Sequence, residues 1–154
     1  MYLVILFHWL FSTVNPSLES TSSFKKSTTD SLVAIIDNDA VKPFRTDEHQ
    51  IKPEYHHTVH KTFTTIYFKD EQFNYTNKIV HMESHEDYRV TTYYFHKKNL
   101  ILIKVLERVQ KSPATPITGN YYYESNALVY KEELNGKPSV NPSSLANTAR
   151  ELNK

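Results

Sequence analysis

Three short aromatic blocks of the same kind recur at nearly constant spacing along this chain. They are Ile66-Tyr67-Phe68, Tyr93-Tyr94-Phe95 and Tyr121-Tyr122-Tyr123, and their central tyrosines lie 27 and 28 residues apart. A polar gap and a second apolar run follow each block, at residues 78–80, 99–105 and 126–130. Strand, polar turn and strand is the pattern of a β-hairpin. Three consecutive hairpins predict a mainly β fold, an antiparallel meander of about six strands.

The residue types within and between these runs support strands over helices. Aromatic and β-branched side chains fit a pleated, half-buried surface. The run Leu100–Ile103 lacks apolar–polar alternation, which predicts an interior strand covered on both faces. Asparagine tolerates positive φ and takes the place of glycine in or beside the gaps. These asparagines are Asn74, Asn77, Asn99, Asn126 and Asn135. Asn135-Gly136 predicts the end of the last long strand, with a short return over Lys137–Val140.

The last turn-like stretch is followed by a helix pattern. Asn141-Pro142-Ser143-Ser144 is typical of a helix start, with proline in the first turn. Leu145, Ala149 and Leu152 then fall on one side. The sequence therefore predicts a C-terminal helix that packs on or beside the sheet.

The region before the first hairpin is harder to assign. Residues 30–39 (DSLVAIIDND) favour a short helix capped by Asp30, with a strand or an ordered loop as alternatives. Residues 41–55 carry Pro43 and Pro53 and are predicted to be irregular.

The N-terminus has a composition of its own. Residues 1–11 are apolar apart from one histidine, but a bilayer-spanning helix needs about 20 such residues. We interpret 1–17 as a secretory signal peptide. Because no basic residue precedes the run and no Ala-x-Ala site follows, a buried first strand or an amphipathic membrane-surface segment are the alternatives. Residues 18–30 are predicted to be a flexible spacer, and residues 31–154 are predicted to form a single domain. We expect the protein to be secreted, periplasmic or held at the cell envelope. No stable membrane span is expected after the signal peptide is removed.

Composition excludes several classes of function. The chain has no cysteine, which rules out disulfides, thiolate metal sites and a cysteine nucleophile. With two glycines it cannot build a phosphate-cradling loop, and its net charge of +1 gives no basic field for nucleic acid. No Gly-x-Ser-x-Gly motif is present. We therefore expect a protein without catalytic activity, with a small enzyme that has an unrecognised site as one alternative. We expect it to be a monomer or a weak oligomer.

Histidines cluster just before the first hairpin. In a strand, His56 and His60 would lie about 13 Å apart, too far to share one ion. A site formed between strands could combine His57, His60, Glu83 and His85. The expectation is therefore no cofactor, with a histidine-dependent divalent transition-metal binder as the alternative function.

Tyrosines on a sheet face suggest a binding surface. Such rings offer large contact area at low entropic cost, which suits a protein, peptide or glycan partner. The candidate binding residues are His56, His57, His60, Tyr67, Tyr94 and Tyr122. The alternative is that the tyrosines form cross-strand pairs that only hold the sheet together.

An open meander also has two edge strands that another chain could extend. We expect one edge at residues 56–68 and the other at Ala127–Leu134. Any strand addition is predicted to use the 56–68 edge and to weaken as pH falls from about 7.5 to 5.5, as the histidines gain charge.

The aromatic blocks, together with Asn135-Gly136-Lys137 and Pro142-Ser143-Ser144, resemble a group of small exported bacterial envelope proteins built from tandem Tyr/Phe-rich β-hairpins. The resemblance covers about residues 60 to 152. The chain departs from the group at Lys97-Lys98-Asn99 and Glu124-Ser125-Asn126, where the group carries Asp/Asn-Gly turns. The resemblance implies export and no known enzyme activity. We therefore expect a non-catalytic exported or cell-envelope protein that acts by binding or by structural association.

Overall fold

The computed structural model describes residues 24–40, 42–51, 61–70, 72, 74–84, 87–109 and 115–154, without the side chain of Val109. Seven strands form one antiparallel sheet in chain order, with a helix before and a helix after it. The elements are α1 (Lys26–Asp39), β1 (Arg45–Ile51), β2 (Lys61–Lys69), β3 (Thr76–Ser84), β4 (Asp87–His96), β5 (Asn99–Val109), β6 (Ile117–Glu124), β7 (Ala127–Leu134) and α2 (Pro142–Leu152). The predicted meander with a C-terminal helix is confirmed.

The three predicted hairpins are β2–β3, β4–β5 and β6–β7. Tyr93 lies opposite Ile103 and Tyr94 opposite Leu102, so the second aromatic block pairs with the aliphatic run as expected. One residue is added on one side of a pair between Tyr94 and Phe95, and similar irregularities occur in β2–β3 and β6–β7. These bulges shift which side chains share a face of the sheet.

The prediction that 41–55 is irregular was wrong for β1. Arg45–Ile51 pairs along β2, between the two prolines, neither of which interrupts it. All seven residues of β1 are exposed, so the strand carries no apolar alternation that could reveal it. The strand is held by its backbone ladder, which is invisible to a pattern search.

β1 also corrects the predicted edge of the sheet. β2 pairs with β1 on one side and β3 on the other, so residues 61–68 are interior and the edge is β1. Residues 56–60 lie outside the described part of the chain. The second predicted edge, Ala127–Leu134, is confirmed as β7.

Helix α1 is longer than predicted. It begins at Lys26, so the last five residues assigned to the flexible spacer are helical, and Lys25 rather than Asp30 is the N-cap. Thr29, Val33 and Ile36 recur at helical spacing and are buried together, which explains the early start. Residues 1–23, with the predicted signal peptide and spacer residues 18–23, lie outside the described part.

Helix α2 is confirmed with its predicted start and apolar side. The Asn141 side chain accepts a hydrogen bond from the Ser143 amide at 2.9 Å, and proline occupies the first turn. Leu145 and Ala149 are buried, and Leu152 packs against the same cluster.

The two helices cover opposite faces of the sheet. On the face under α2, hereafter the α2 face, one row across the sheet carries Tyr67, Ile79, Tyr93, Ile103 and Tyr121. On the other, the α1 face, Val33 and Ile36 pack on Tyr94, Leu102 and Tyr122. The run Leu100–Ile103 is thus covered on both faces, as predicted.

The turns keep hairpin geometry without glycine. Two-residue turns at Lys97-Lys98 and Ser125-Asn126 have positive φ at all four residues, from 48° to 68°. Positive φ at both central residues matches the twist of the flanking strands. Asn74 and Asn135 also have positive φ, whereas Asn77 and Asn99 lie in strands.

The return predicted over Lys137–Val140 does not form a strand, and Val140 packs against the α2-face cluster. Inside that cluster, Gly119 allows a close approach. A Cβ there would lie 2.8 Å from the Tyr121 hydroxyl and 2.9 Å from Pro138 Cγ.

Candidate functional site

The three candidate tyrosines do not share one face of the sheet. Tyr67 lies on the α2 face, and Tyr94 and Tyr122 lie on the α1 face. Their exposed fractions are 4%, 4% and 2%, so the rings are packed against neighbours rather than presented to solvent.

The hydroxyls on the α1 face bond to helix α1. Tyr122 donates to Asp30 at 3.0 Å, and Tyr94 donates to Asp37 at 3.3 Å. Lys78 adds a 2.7 Å ion pair with Asp37. Burial and then the bond to Asp30 raise the pKa of Tyr122 to about 12, and burial raises the pKa of Tyr94 as well. These phenols stay neutral near pH 7 and hold the helix to the sheet.

His81 is a half-buried histidine on the α2 face. Its Nδ1 lies 2.8 Å from Thr65 Oγ1, within hydrogen-bond distance, and its ring stacks on Phe63 at 6.0 Å between centroids. Burial lowers the pKa of His81, with the Glu83 charge opposing that effect. His81 Nε2 is 3.8 Å from Glu83 Oε1, too far for a hydrogen bond. Thr65, His81 and Glu83 therefore do not form a proton relay.

Glu83, a predicted metal ligand, lies in a chain of alternating charges. It pairs with Arg89 and, at 3.4 Å, with Lys61, and Arg89 pairs at 3.7 Å with Glu107. Burial opposes ionisation of Glu83, but the bond to Arg89 and the two cationic charges outweigh it and lower its pKa. Ser139 donates to Glu107 from both its amide and its hydroxyl, at 2.9 and 2.8 Å. Both carboxylates, Glu83 and Glu107, are therefore already paired with cations or hydrogen-bond donors of the protein itself.

The other members of the predicted metal set, His57, His60 and His85, lie outside the described residues, as does His56 of the predicted binding set. Within the described part of the chain, no group of three or more histidines and carboxylates could hold a metal ion.

Two features near helix α1 were not predicted. The first is a row of partly buried apolar side chains beside the area under α1, hereafter the apolar stripe. It consists of Ile66, Val80, Met82, Val90 and Leu106, which are neighbours across β2 to β5. None of the five is fully buried, and Leu106 is 37% exposed.

Two cations flank the stripe. Lys104 and Arg108 lie two residues to either side of Leu106 on β5 and so share its face. Lys104 lies over the Tyr94 ring at 5.1 Å. Among the described residues, neither cation forms an ion pair with a carboxylate. The stripe therefore has a positive border along one strand.

The second feature is a cleft of about 350 Å³ at the start of α1, hereafter the N-terminal cleft. It lies between the first turns of the helix and the tips of the β4–β5 and β6–β7 hairpins. Its lining includes Phe24, Leu100, Ile101 and Tyr123 as apolar residues, and Lys25, Thr28, Thr29, His96, Asn99, Glu124 and Ser125 as polar ones.

Neither feature could be predicted from the sequence, because both depend on how the strands pair and on where α1 begins. The stripe residues stand at alternate positions, which is a usable signal only once the pairing of β2 to β5 is known. The cleft depends on where α1 begins, and the predicted N-cap, Asp30, lies five residues after the observed one, Lys25.

In the described part of the chain, neither helix has the length and apolar character needed to cross a bilayer. No protein-family model, curated protein or solved structure matches this chain.

Proposed function

We propose that this chain is a non-catalytic exported protein that acts at the cell envelope by binding a partner protein. The observation that supports this most is the apolar stripe, an apolar area of sheet that α1 leaves open. Contiguous apolar surface bordered by polar residues is typical of protein contact sites. The apolar N-terminal run, which is typical of a signal peptide, supports export.

The border of the stripe specifies the kind of partner. Lys104 and Arg108 form no ion pairs within the described part of the chain and stand on either side of exposed Leu106. A partner segment with apolar side chains flanked by carboxylates would bury Leu106 and pair both cations. An acidic amphipathic segment therefore fits this surface better than a neutral glycan, which would use exposed aromatic rings.

Site-specific photocrosslinking in the native cell tests the binding surface. A photoreactive amino acid at position 106 should crosslink to one protein partner. The same residue at position 35 is the matched control, because Ile35 is an exposed apolar residue on α1, 56% accessible. Crosslinks from position 106 that disappear with Lys104→Glu plus Arg108→Glu would support the proposal. Equal crosslinking from both positions, or none from position 106, would contradict it.

Export is tested separately on the full chain. Mass spectrometry of the protein recovered from envelope and culture fractions should show an N-terminus beyond residue 11, as expected after removal of a signal peptide. Intact Met1 in a cytosolic fraction would count against export.

A further inference from the structure

We propose that the protein associates with a second copy of itself through β7, the last strand of the sheet. This surface is separate from the apolar stripe, and the association does not depend on the partner proposed above. Among the described strands, β7 pairs only with β6, so the outer side of its backbone has no ladder partner there. An edge strand of this kind is a template for another chain.

The two edges of the sheet differ in their exposed side chains. β7 exposes three large apolar residues, Leu128, Tyr130 and Leu134, by 43%, 41% and 62%. β1, at the opposite edge, is polar except for Ile51 at its end. Polar and charged edge strands resist the addition of another chain, whereas exposed apolar ones favour it. Strand addition is therefore expected at β7 and not at the 56–68 edge that the sequence predicted.

A bulge limits how much of β7 a second copy can pair with. The register of β6 and β7 shifts between Tyr122 and Tyr123, which leaves Val129 as an extra residue in β7. The regular part of the strand beyond this bulge is Tyr130–Leu134. Two antiparallel copies of this segment pair over its full length only when Glu132 lies opposite the same residue of the second copy.

In this register the opposed side chains are complementary. Tyr130 lies opposite Leu134 of the second copy, and Lys131 lies opposite Glu133 of the second copy. The two-fold axis repeats both pairs. Apolar pairs and opposite-charge pairs across neighbouring strands both stabilise an antiparallel sheet. Lys131 and Glu133 already lie 3.5 Å apart within one chain, so association joins two ion pairs into one alternating cluster.

The glutamates at the centre of this interface are neutralised by their own chains. Glu132 lies 3.6 Å from Lys26 of α1 and accepts a hydrogen bond from the Tyr130 hydroxyl at 3.2 Å. Each copy brings one Lys26 with its Glu132. The centre of the interface therefore has no net charge, and repulsion between the two carboxylates is reduced.

The size and symmetry of the interface define the dimer. A five-residue strand pair is a small interface beside the about 1,200–2,000 Å² that stable complexes bury, so the association is expected to be weak. A two-fold axis perpendicular to the sheet joins two seven-stranded sheets into a continuous one. Both α1 faces then lie on the same side of that sheet.

Single cysteines test the register, because the native chain has none. Under mild oxidation at about 1 mM protein, a concentration suited to weak association, Glu132→Cys should form a disulfide-linked dimer. Lys131→Cys should not, because it lies diagonally across from its own copy. Glu48→Cys, at an exposed residue in the middle of β1, is the control for random collision. Mass spectrometry without reduction measures the yield of dimer.

Two outcomes of this experiment would overturn the proposal. One is an equal yield of disulfide-linked dimer from Glu132→Cys and from either of the other two variants. The other is wild-type protein that sediments as a monomer at about 1 mM, which would leave the β7 edge free for a different extended chain.

A second pair of variants tests the side-chain contacts. In the Glu132→Cys background, Leu134→Lys places a charge opposite Tyr130 of the second copy and should slow dimer formation at least about 5-fold. Ile35→Lys, at an exposed apolar residue of α1, should leave the rate unchanged. Both substituted positions are exposed, so circular dichroism should show an intact fold in both variants. Equal rates of dimer formation in the two variants would overturn the assignment of the interface to β7.

Discussion

The two helices are attached to the sheet by different chemistry. Helix α2 is held by apolar contact, with Leu145, Ala146 and Ala149 at 5%, 4% and 0% exposure over the α2-face row. Helix α1 buries two apolar residues, Val33 and Ile36, and is otherwise joined to the sheet by phenol–carboxylate hydrogen bonds and ion pairs.

This difference separates stability from function in the molecule. In proteins, closely packed apolar regions exchange their amide protons only when the whole molecule unfolds. Exposed polar bonds around a small cluster are individually weak, of the order of 1 kcal/mol each. The α1 face also carries the apolar stripe, none of whose side chains is fully buried. We infer that the α2 face stabilises the fold and that the α1 face is the one that binds.

Truncation of one buried apolar side chain in each helix–sheet contact should give the largest contrast. Ile103→Ala on the α2 face removes a fully buried side chain and should lower the free energy of unfolding by about 2–5 kcal/mol. Val33→Ala in α1 should cost less, about 1–2 kcal/mol. Urea denaturation followed by tyrosine fluorescence measures both. A larger loss of unfolding free energy from Val33→Ala than from Ile103→Ala would contradict the proposed difference between the two helices.

A change at Gly119 probes the tightest packing on the α2 face. Gly119→Ala places a methyl group within 3.0 Å of Tyr121 and Pro138, neither of which can move freely in the core. We expect a loss of about 1–3 kcal/mol in the free energy of unfolding. Gly136 is not a suitable control, because its φ of +126° strains any substitution there. Ser125→Gly, at an exposed turn residue with a φ of +50°, is the control and should change stability little.

Removal of one phenol probes how α1 is attached. Tyr122→Phe deletes the bond to Asp30 and should cost about 0.5–1.5 kcal/mol near pH 7. The folded-state pKa of Tyr122, about 12, is above the ordinary tyrosine pKa of 10.0. Its contribution is therefore complete below pH 10 and lost as pH rises from 10 towards 12. In thermal unfolding from pH 8 to 11.5, wild type should lose stability more steeply than Tyr122→Phe. Parallel pH profiles would contradict this account of Tyr122.

The sequence revealed the parts of the fold whose residues carry a burial pattern. The hairpins follow from aromatic and aliphatic runs, and α2 follows from Asn141-Pro142 and its apolar side. Strand β1 has no buried residue, and α1 starts in a polar stretch, so neither was predicted with correct bounds.

The candidate site was harder to predict because it depends on register. Tyr67 and Tyr94 have equivalent places in their blocks but lie on opposite faces. Turn lengths and bulges set the phase of each strand, and neither is encoded in the aromatic blocks themselves. The stripe and the cleft become visible only when the pairing and the position of α1 are known.

Native-state hydrogen exchange tests the division between the two faces most directly. After correction for intrinsic rates, amides of α1 should exchange at least about 10-fold faster than those of α2, whose amides should exchange as slowly as those of β5. Equal protection of the two helices, or α2 exchanging faster than α1, would contradict the account.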